Sequence, residues 1–213
     1  MITVHHLNES RSQRILWLLE ELEVPYEIQF YWRDERSRMA PAELQRVHPL
    51  GKSPVITDDG RAIAESGAIV DYIVRHYGNG RLRPDPASSD YDEYGHWLHY
   101  AEGSASLPFV ILPICNSFGK MATPLRRRVD RELALNLGYI DERLQGRDYL
   151  LGDALTAADV QMSFVGELAV NFTDASILPN LAAWVARFQA RSAYKAAIGR
   201  GGPYSLAQRE RAE

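Results

Sequence analysis

The sequence has little cysteine and lacks a strong excess of charge of either sign. Cys115 is the only cysteine among 213 residues, which excludes an internal disulfide and any Cys-x-x-Cys redox or zinc motif. The 24 Lys and Arg residues against 28 Asp and Glu residues give a formal net charge of -4, which argues against a general nucleic-acid binder. We therefore expect a cytoplasmic protein, in a reducing compartment, with no nucleic-acid partner.

Long hydrophobic runs and metal-ligand clusters are also scarce. The first ten residues, MITVHHLNES, contain no apolar core of signal-peptide length, and no other run approaches the roughly 18 apolar residues of a membrane span. His5 and His6 are adjacent on a predicted strand and point to opposite faces, while His96 and His99 have helical spacing but no cysteine nearby. We expect no membrane partner and no bound metal.

The periodicity of the sequence changes between its two halves. Residues 1–80 alternate strand-like and helix-like segments in the order βαβαββα. Residues 78–90, GNGRLRPDPASSD, are rich in Gly, Pro, Ser and Asp and are typical of a linker. Beyond the linker the period is helical throughout. We predict an α/β domain over residues 1–80 and an all-α domain over residues 87–205.

The stretch LNESRSQRILWLLEEL, residues 7–22, has more polar groups at a predicted helix start than the helix needs. Ser and Asn are favoured there because their side-chain oxygens accept backbone N–H groups of the first turn, and one such cap suffices. Asn8, Ser10 and Ser12 supply three. The surplus indicates a second role for this segment.

Pro54 stands immediately before the apolar strand that begins at Val55, a position where proline is unusual in a sheet. An X-Pro bond is cis in only about 5% of cases. The βαβαββα order nevertheless favours a cis bond between Ser53 and Pro54, because a cis-proline before the third strand is a defining feature of thioredoxin-like folds.

Four segments in this order resemble the cytosolic-type glutathione S-transferases, of the serine type found in bacteria and fungi. They are NESRSQRILWLLEEL, HPLGKSPVITDDG, AESGAIVDYI and LTAADV. WLHYAEGS and PNLAAWVARFQARSAY are similar to family segments as well, so the resemblance spans nearly the whole chain. It implies a thioredoxin-like α/β N-terminal domain followed by an all-α C-terminal helical domain. It also implies a homodimer that uses glutathione as co-substrate with a small electrophile.

The resemblance assigns four residues to glutathione binding. Glu65 and Ser66 would hold the γ-glutamyl end, at a helix start whose N–H groups suit a carboxylate. Ser53 would offer its main-chain groups to the cysteinyl part, and Lys52 would meet the glycyl carboxylate. The residues alone also fit a plain helix cap at Glu65 and Ser66 and a solvated Lys52.

Glutathione chemistry needs a thiolate, whereas a free thiol with a pKa near 8.5 is mostly protonated at neutral pH. A hydroxyl donating to the sulfur and the positive end of a helix both favour the anion. The resemblance implies that Ser10 is this catalytic group, because serine-type members carry it four residues before an arginine, here Arg14. Asn8 and Ser12 remain alternatives, and Ser10 can instead be only the helix N-cap.

A serine at this position also predicts the reaction. A cysteine would form mixed disulfides with glutathione, whereas a hydroxyl only stabilises the bound thiolate. We therefore expect conjugation of glutathione to an electrophile or reduction of an organic peroxide. The alternative is a non-catalytic binding or interaction module of the same fold, and Gly67, where some relatives carry a polar side chain, is a departure in that direction.

The second substrate is expected between the two domains, beside the helix that contains Trp97 and Tyr100. Pro108 and Pro113 are expected to interrupt that helix and open the cleft. Arg11 would steer an anionic substrate or be a plain surface charge.

The motif LTAADV fits a capping box, in which Thr156 and Asp159 bond each other's backbone N–H groups. This predicts a role in folding and none in catalysis.

Overall fold

The computed structural model describes residues 1–207, which form two compact units. Of these residues, the first unit contains 1–83 together with 188–207, and the second contains 84–187. The sequence expectation carried the helical domain to residue 205. In the structure, residues 188–207 instead belong with the first unit.

A mixed four-stranded sheet forms the centre of the first unit. Its strands are β1 (Ile2–Leu7), β2 (Tyr26–Tyr31), β3 (Val55–Asp58) and β4 (Arg61–Ala64), in the spatial order β2-β1-β3-β4. β1 pairs with β2 in parallel, and the other pairs are antiparallel. Asp59 and Gly60 both have positive φ, which is the geometry of a tight β3–β4 hairpin turn.

Three helices complete the order βαβαββα that the sequence predicts. They are α1 (Gln13–Glu21), the single turn α2 (Leu44–Val47) and α3 (Ser66–Tyr77). The apolar residues of α1 are fully buried, as are Ile69 and Ile73 of α3. Burial of these side chains fixes the first turns of α1 and α3, where the candidate site residues lie.

The last helix of the chain packs against α1, which explains why it belongs to the first unit. This helix is α9 (Ser192–Gly201), and it follows α8 (Pro179–Ala190) in sequence. The Trp17 ring stacks on Phe188 with centroids 5.2 Å apart and meets Tyr194 edge-on at 5.5 Å. At Gly201 an added Cβ would lie 2.8 Å from the Leu16 side chain, so α9 ends in close contact with α1. Helical periodicity alone does not reveal this packing.

The second unit is helical. Its elements before α8 are α4 (Asp90–Tyr100), a π turn (Ala101–Ala105), α5 (Leu107–Phe118), a 3-10 turn (Gly119–Ala122), α6 (Thr123–Arg143), α7 (Ala157–Phe172) and a second 3-10 turn (Ala175–Ile177). The interruption after α4 falls at the π turn. It does not fall at the prolines, because Pro108 occupies the first turn of α5 and Pro113 lies inside that helix.

The predicted capping box starts α7. The Thr156 N–H donates to Asp159 Oδ2 at 2.9 Å, and the Thr156 hydroxyl donates to the same oxygen at 3.0 Å. Asp159 Oδ1 accepts from the Leu150 N–H and from Trp184 Nε1. Burial raises the pKa of Asp159 to about 6, while these four donors act in the opposite direction. The motif thus anchors α7, α8 and the preceding loop to one carboxyl group.

One helical run is more apolar than the sequence reading allowed. Within residues 1–207, the run Asp90–Arg143 is long and apolar enough to cross a membrane by length and composition alone. The expectation that no segment comes near such a span was therefore wrong. A core helix of a soluble protein passes the same test, so one such run is weak evidence for a membrane.

Candidate active site

The loop between β1 and α1 places Ser10 beside the start of α1. The Ser10 side chain is only 5% exposed, and its Oγ accepts from the Ser12 N–H at 3.2 Å. Ser12 is the N-cap residue by position, but its hydroxyl makes no capping bond. Ser10 Oγ thus accepts a backbone N–H two residues along the chain, as a capping side chain does, and a cap role for Ser10 stays a prediction beside its catalytic role.

The hydroxyl of Ser12 is used inside the protein. Its Oγ lies 2.7 Å from Ser10 Oγ and 2.9 Å from Nδ1 of His6 on β1. Burial lowers the pKa of His6 to about 4, partly offset by a hydrogen bond to the backbone of Gly201. Ser10, Ser12 and His6 thus form a buried chain of polar contacts that reaches Gly201 at the end of α9.

Asn8 and Glu9, on the other side of the loop, are held by Arg33. The Arg33 N–H donates to Asn8 Oδ1 at 2.8 Å, and its guanidinium donates to the carbonyls of Asn8 and Glu9. The Glu9 carboxylate accepts from the N–H and hydroxyl of Ser205, the latter at 2.6 Å. Glu9 has a φ of 52°, a left-handed backbone conformation that residues other than glycine rarely adopt. The contacts with Arg33 and Ser205 stabilise this conformation.

The second segment of the site is the loop before β3. The Ser53–Pro54 bond is cis, as predicted. Ser53 Oγ donates to the His5 carbonyl at 3.1 Å and lies 3.4 Å from Ser10 Oγ, so the two serines face each other. Lys52 is exposed next to Ser53.

The third segment is the start of α3. Ser66 is buried in the first turn, and Glu65, just before it, is exposed with φ 70°. Arg14 of α1 is itself buried and donates to Ser66 Oγ at 2.6 Å. Because Arg14 lies in the first turn after the Ser10 loop, this bond joins the third segment to the first.

Comparison with known proteins identifies the family. Residues 10–76 match the model of the glutathione S-transferase N-terminal domain, and residues 105–192 match the model of the glutathione S-transferase C-terminal domain. Glutathione S-transferase 3 of Schizosaccharomyces pombe is 38% identical over 178 residues, covering 77% of this chain and 72% of its own. The chain belongs to the glutathione S-transferase family.

Two solved structures of glutathione S-transferases are similar over nearly the full chain. That of a glutathione S-transferase from Actinobacillus pleuropneumoniae has a TM-score of 0.89 and 30% identity, covering 98% of this chain and 96% of its own. That of a glutathione transferase family member from Pseudomonas fluorescens Pf-5, with two glutathione bound, has a TM-score of 0.78, 25% identity and 92% coverage of each chain. The thioredoxin-like and helical parts are those of the glutathione S-transferase fold.

Trp97, Tyr100 and Arg11, the residues expected near the second substrate of this glutathione S-transferase, differ in how exposed they are. Trp97 is 0% exposed and stacks on Tyr139 inside the second unit, so it is a core residue and presents no surface to a ligand. Tyr100 is half-buried, and burial together with Tyr139 raises its pKa to about 12. It lines a cavity of about 510 Å³ between α5 and α6. Arg11 is half-exposed in the Ser10 loop.

Among residues 1–207, no group of three or more His, Cys, Asp and Glu side chains is placed to hold a metal ion.

The sequence reading missed the partners of Ser10 in this glutathione S-transferase. His6 was considered only as a metal ligand, and Gly201 was not considered at all. The available signal was a pair of histidines in the predicted first strand, because a buried polar side chain requires a hydrogen-bond partner. That partner, Ser12, is six residues away.

Proposed function

We propose that this glutathione S-transferase conjugates glutathione to a small electrophile and that Ser10 stabilises the glutathione thiolate. The observation that carries the proposal is the contact of Ser10 with Ser53 at 3.4 Å, next to the cis-proline. A ligand strand that bonds the main chain of Ser53 would bring its cysteinyl sulfur close to the Ser10 hydroxyl. A hydrogen bond to a charged group contributes about 1.5–3 kcal/mol, or roughly one to two units of thiol pKa.

Glutathione would extend from Ser53 to the start of α3. Ser66 opens a 12-residue helix, whose first N–H groups and positive end favour the γ-glutamyl carboxylate. The exposed carboxylate of Glu65 would accept from the γ-glutamyl ammonium group, and exposed Lys52 would meet the glycyl carboxylate. The Pseudomonas fluorescens relative, whose structure has two glutathione bound, supports glutathione as the co-substrate.

The reaction is conjugation rather than thiol–disulfide exchange, because the group near the sulfur is a hydroxyl. Cys115, the only cysteine, is buried in the second unit and is not part of the site. A bound thiolate could attack an electrophilic carbon, or it could attack a peroxide oxygen and yield a sulfenic acid that a second glutathione converts to the disulfide. Peroxide reduction is therefore the second activity of the same site.

We also propose that the protein is a cytoplasmic homodimer. The α5 helix carries an exposed apolar stripe, Leu107, Val110, Ile114 and Phe118, that its own unit leaves uncovered. Contiguous exposed apolar surface of this kind marks an interaction site, and a second copy offers a matching apolar face.

Calorimetric titration with glutathione tests the proposal. The protein should bind glutathione with a dissociation constant in the millimolar range or tighter, and Glu65→Gln should weaken binding about ten- to a hundredfold. Glu23→Gln is the matched control, because Glu23 is also an exposed glutamate with positive φ and lies outside the site. No binding at several millimolar glutathione would overturn the proposal and favour an interaction module of the same fold.

A further inference from the structure

The protonation state of His6 determines which atom donates in each hydrogen bond of the buried chain from Ser10 to Gly201. His6 is 3% exposed, and its pKa near 4 makes it neutral at physiological pH, with one ring N–H. The hydrogen bond to Gly201 raises the His6 pKa, so the ring is the donor and the Gly201 carbonyl the acceptor. Nδ1 faces Ser12, so the donating atom is Nε2.

This tautomer determines which atom donates at each following step. Nδ1 of His6 then carries only a lone pair, and the Ser12 hydroxyl must donate to it across 2.9 Å. The Leu7 carbonyl, 3.3 Å from Ser12 Oγ, is a second acceptor for the same proton, and with either acceptor Ser12 has no proton left for Ser10. The remaining contact, 2.7 Å between Ser12 Oγ and Ser10 Oγ, requires Ser10 to donate.

The Ser10 proton is therefore already in use. Its other neighbour, Ser53 Oγ, is at 3.4 Å, while the Ser12 N–H occupies one lone pair of Ser10. When Ser10 turns its proton towards a sulfur, the oxygens of Ser10 and Ser12 face each other without a proton between them. A hydrogen bond within a fully buried pair is given up at that moment.

We infer that Ser12 and His6 are positioning residues, which keep the Ser10 O–H bond directed at Ser12 and so limit how strongly Ser10 donates to the glutathione sulfur. The inference rests on the proposed role of Ser10. Because His6 also contacts Gly201, the strength with which Ser10 donates depends in turn on how α9 packs against α1.

His6 is not the acceptor of the thiol proton. A base with a pKa near 4 holds a proton less tightly than a glutathione thiolate does, so transfer along the chain to Nδ1 is unfavourable. The thiol proton leaves to solvent, and the chain only orients Ser10.

Other charged and titratable groups surround the loop and stay unchanged in the variants below. The Glu9 carboxylate is engaged by Ser205, and Arg14 donates to Ser66. Charged and titratable residues of the loop and its neighbours include His5, Glu9, Arg11, Arg14, Tyr31, Arg33, Arg38, Glu43 and Lys52.

The test measures the pKa of the bound glutathione thiol from thiolate absorbance, at saturating glutathione, in four variants. Ser12→Ala removes the competing acceptor, so the thiol pKa should fall by about half to one unit, or roughly three- to tenfold in the thiolate-to-thiol ratio. His6→Leu leaves the Leu7 carbonyl as the other acceptor for the Ser12 proton, so it should lower the thiol pKa by less than Ser12→Ala does. His6→Asn can place its amide oxygen near the position of Nδ1 and should titrate like the unsubstituted protein. Ser10→Ala should raise the thiol pKa.

The outcomes separate the inference from the function on which it rests. An unchanged or higher thiol pKa in Ser12→Ala, together with a raised value in Ser10→Ala, overturns the inference and leaves the role of Ser10 intact. An unchanged thiol pKa in Ser10→Ala overturns both.

A measurement on the unsubstituted protein covers the case in which a variant does not fold. Nitrogen NMR of His6 near neutral pH should show a neutral ring with its proton on Nε2 and a hydrogen-bonded, unprotonated Nδ1. A proton on Nδ1, or a doubly protonated ring, overturns the inference, because His6 would then donate to Ser12 and take no part in holding the Ser12 proton.

Discussion

Arg14 Nη2 donates to Ser66 Oγ over 2.6 Å, which joins the first turn of α1 to the first residue of α3. Both residues are buried, so the bond is shielded from water. It fixes the distance between the loop that carries Ser10 and the helix start proposed to receive the γ-glutamyl group. Stability and glutathione affinity are therefore coupled at one contact.

Replacing Arg14 by Met should remove this contact while keeping much of the side-chain volume. A double-mutant cycle with Ser66→Ala should give a coupling free energy of unfolding of about 1.5–3 kcal/mol, because one partner is charged and both are buried. Chemical denaturation measures it, and glutathione titration of the same variants should show weaker binding for Arg14→Met. Additive unfolding free energies would contradict the prediction.

Ser10→Ala should lower turnover far more than glutathione binding. The proposed bond from the hydroxyl to the thiolate is lost while the proposed contacts from Ser53, Glu65 and Ser66 remain, so turnover near neutral pH should fall about ten- to a hundredfold. Turnover should recover partly as pH rises, since the thiolate then forms without help. Steady-state kinetics over a pH series provides the measurement. If turnover falls equally at every pH, with a matching loss of stability, Ser10 is only structural.

Stability should fall as pH is lowered, because the folded protein holds His6 neutral. The pKa of His6 is lowered by burial from 6.5 to about 4, so the unfolded chain binds the proton first. The free energy of unfolding should therefore drop by up to about 3 kcal/mol as pH falls from about 6.5 to about 4. His6→Gln should flatten this dependence, measured by denaturation at a series of pH values.

His99→Gln is the control for this measurement, since His99 is exposed on α4 of the other unit. It should leave the dependence on pH unchanged. Equal slopes for His6→Gln and the unsubstituted protein would show that other groups cause the loss.

Features with a short-range signal could be predicted from the sequence. The Asp59–Gly60 turn, the order βαβαββα and the capping box of Thr156 and Asp159 each depend on residues a few positions apart. The family resemblance carried the cis-proline, because a single X-Pro pair has a low cis frequency.

Features that depend on distant contacts could not be predicted. His6 meets Gly201 only because α9 packs on α1, and no periodicity in α9 identifies that neighbour. Trp97 was expected near substrate because an aromatic residue on a helix fits a core and a cleft equally well. Its stacking on Tyr139 distinguishes the two.

The capping box should contribute strongly to stability. Thr156→Ala should lower the free energy of unfolding by about 1–2 kcal/mol, the usual cost of a lost N-cap. Asp159→Ala should cost more, about 3 kcal/mol, because it also strands the buried donors of Leu150 and Trp184. Thermal and chemical denaturation test this order, and activity per folded molecule should stay unchanged. A larger loss for Thr156→Ala would contradict it.

A charge placed in the exposed stripe of α5 should separate the proposed dimer. Ile114→Glu lies mid-stripe, where burial against a second copy would make an uncompensated carboxylate unfavourable. Sedimentation at micromolar concentration should give a dimer for the unsubstituted protein and a 24.1 kDa species for the variant. Met39→Glu, at an exposed apolar residue of the first unit, is the control and should stay dimeric. A monomeric unsubstituted protein would refute the proposed dimer.

The π turn at Ala101–Ala105 puts α4 and α5 out of phase by one residue. The Ser106 N–H reaches back five positions to the Ala101 carbonyl at 3.0 Å, one further than in an α-helix. Deleting Gly103 would restore the regular ladder and rotate every later side chain by about 100° about the helix axis. Phe109 and Cys115 would then leave the core, and the apolar stripe would point elsewhere. One additional residue in the π turn thus determines which face of α5 is buried and which is exposed. A sequence alignment that deletes this position would pair buried residues of α5 with exposed ones.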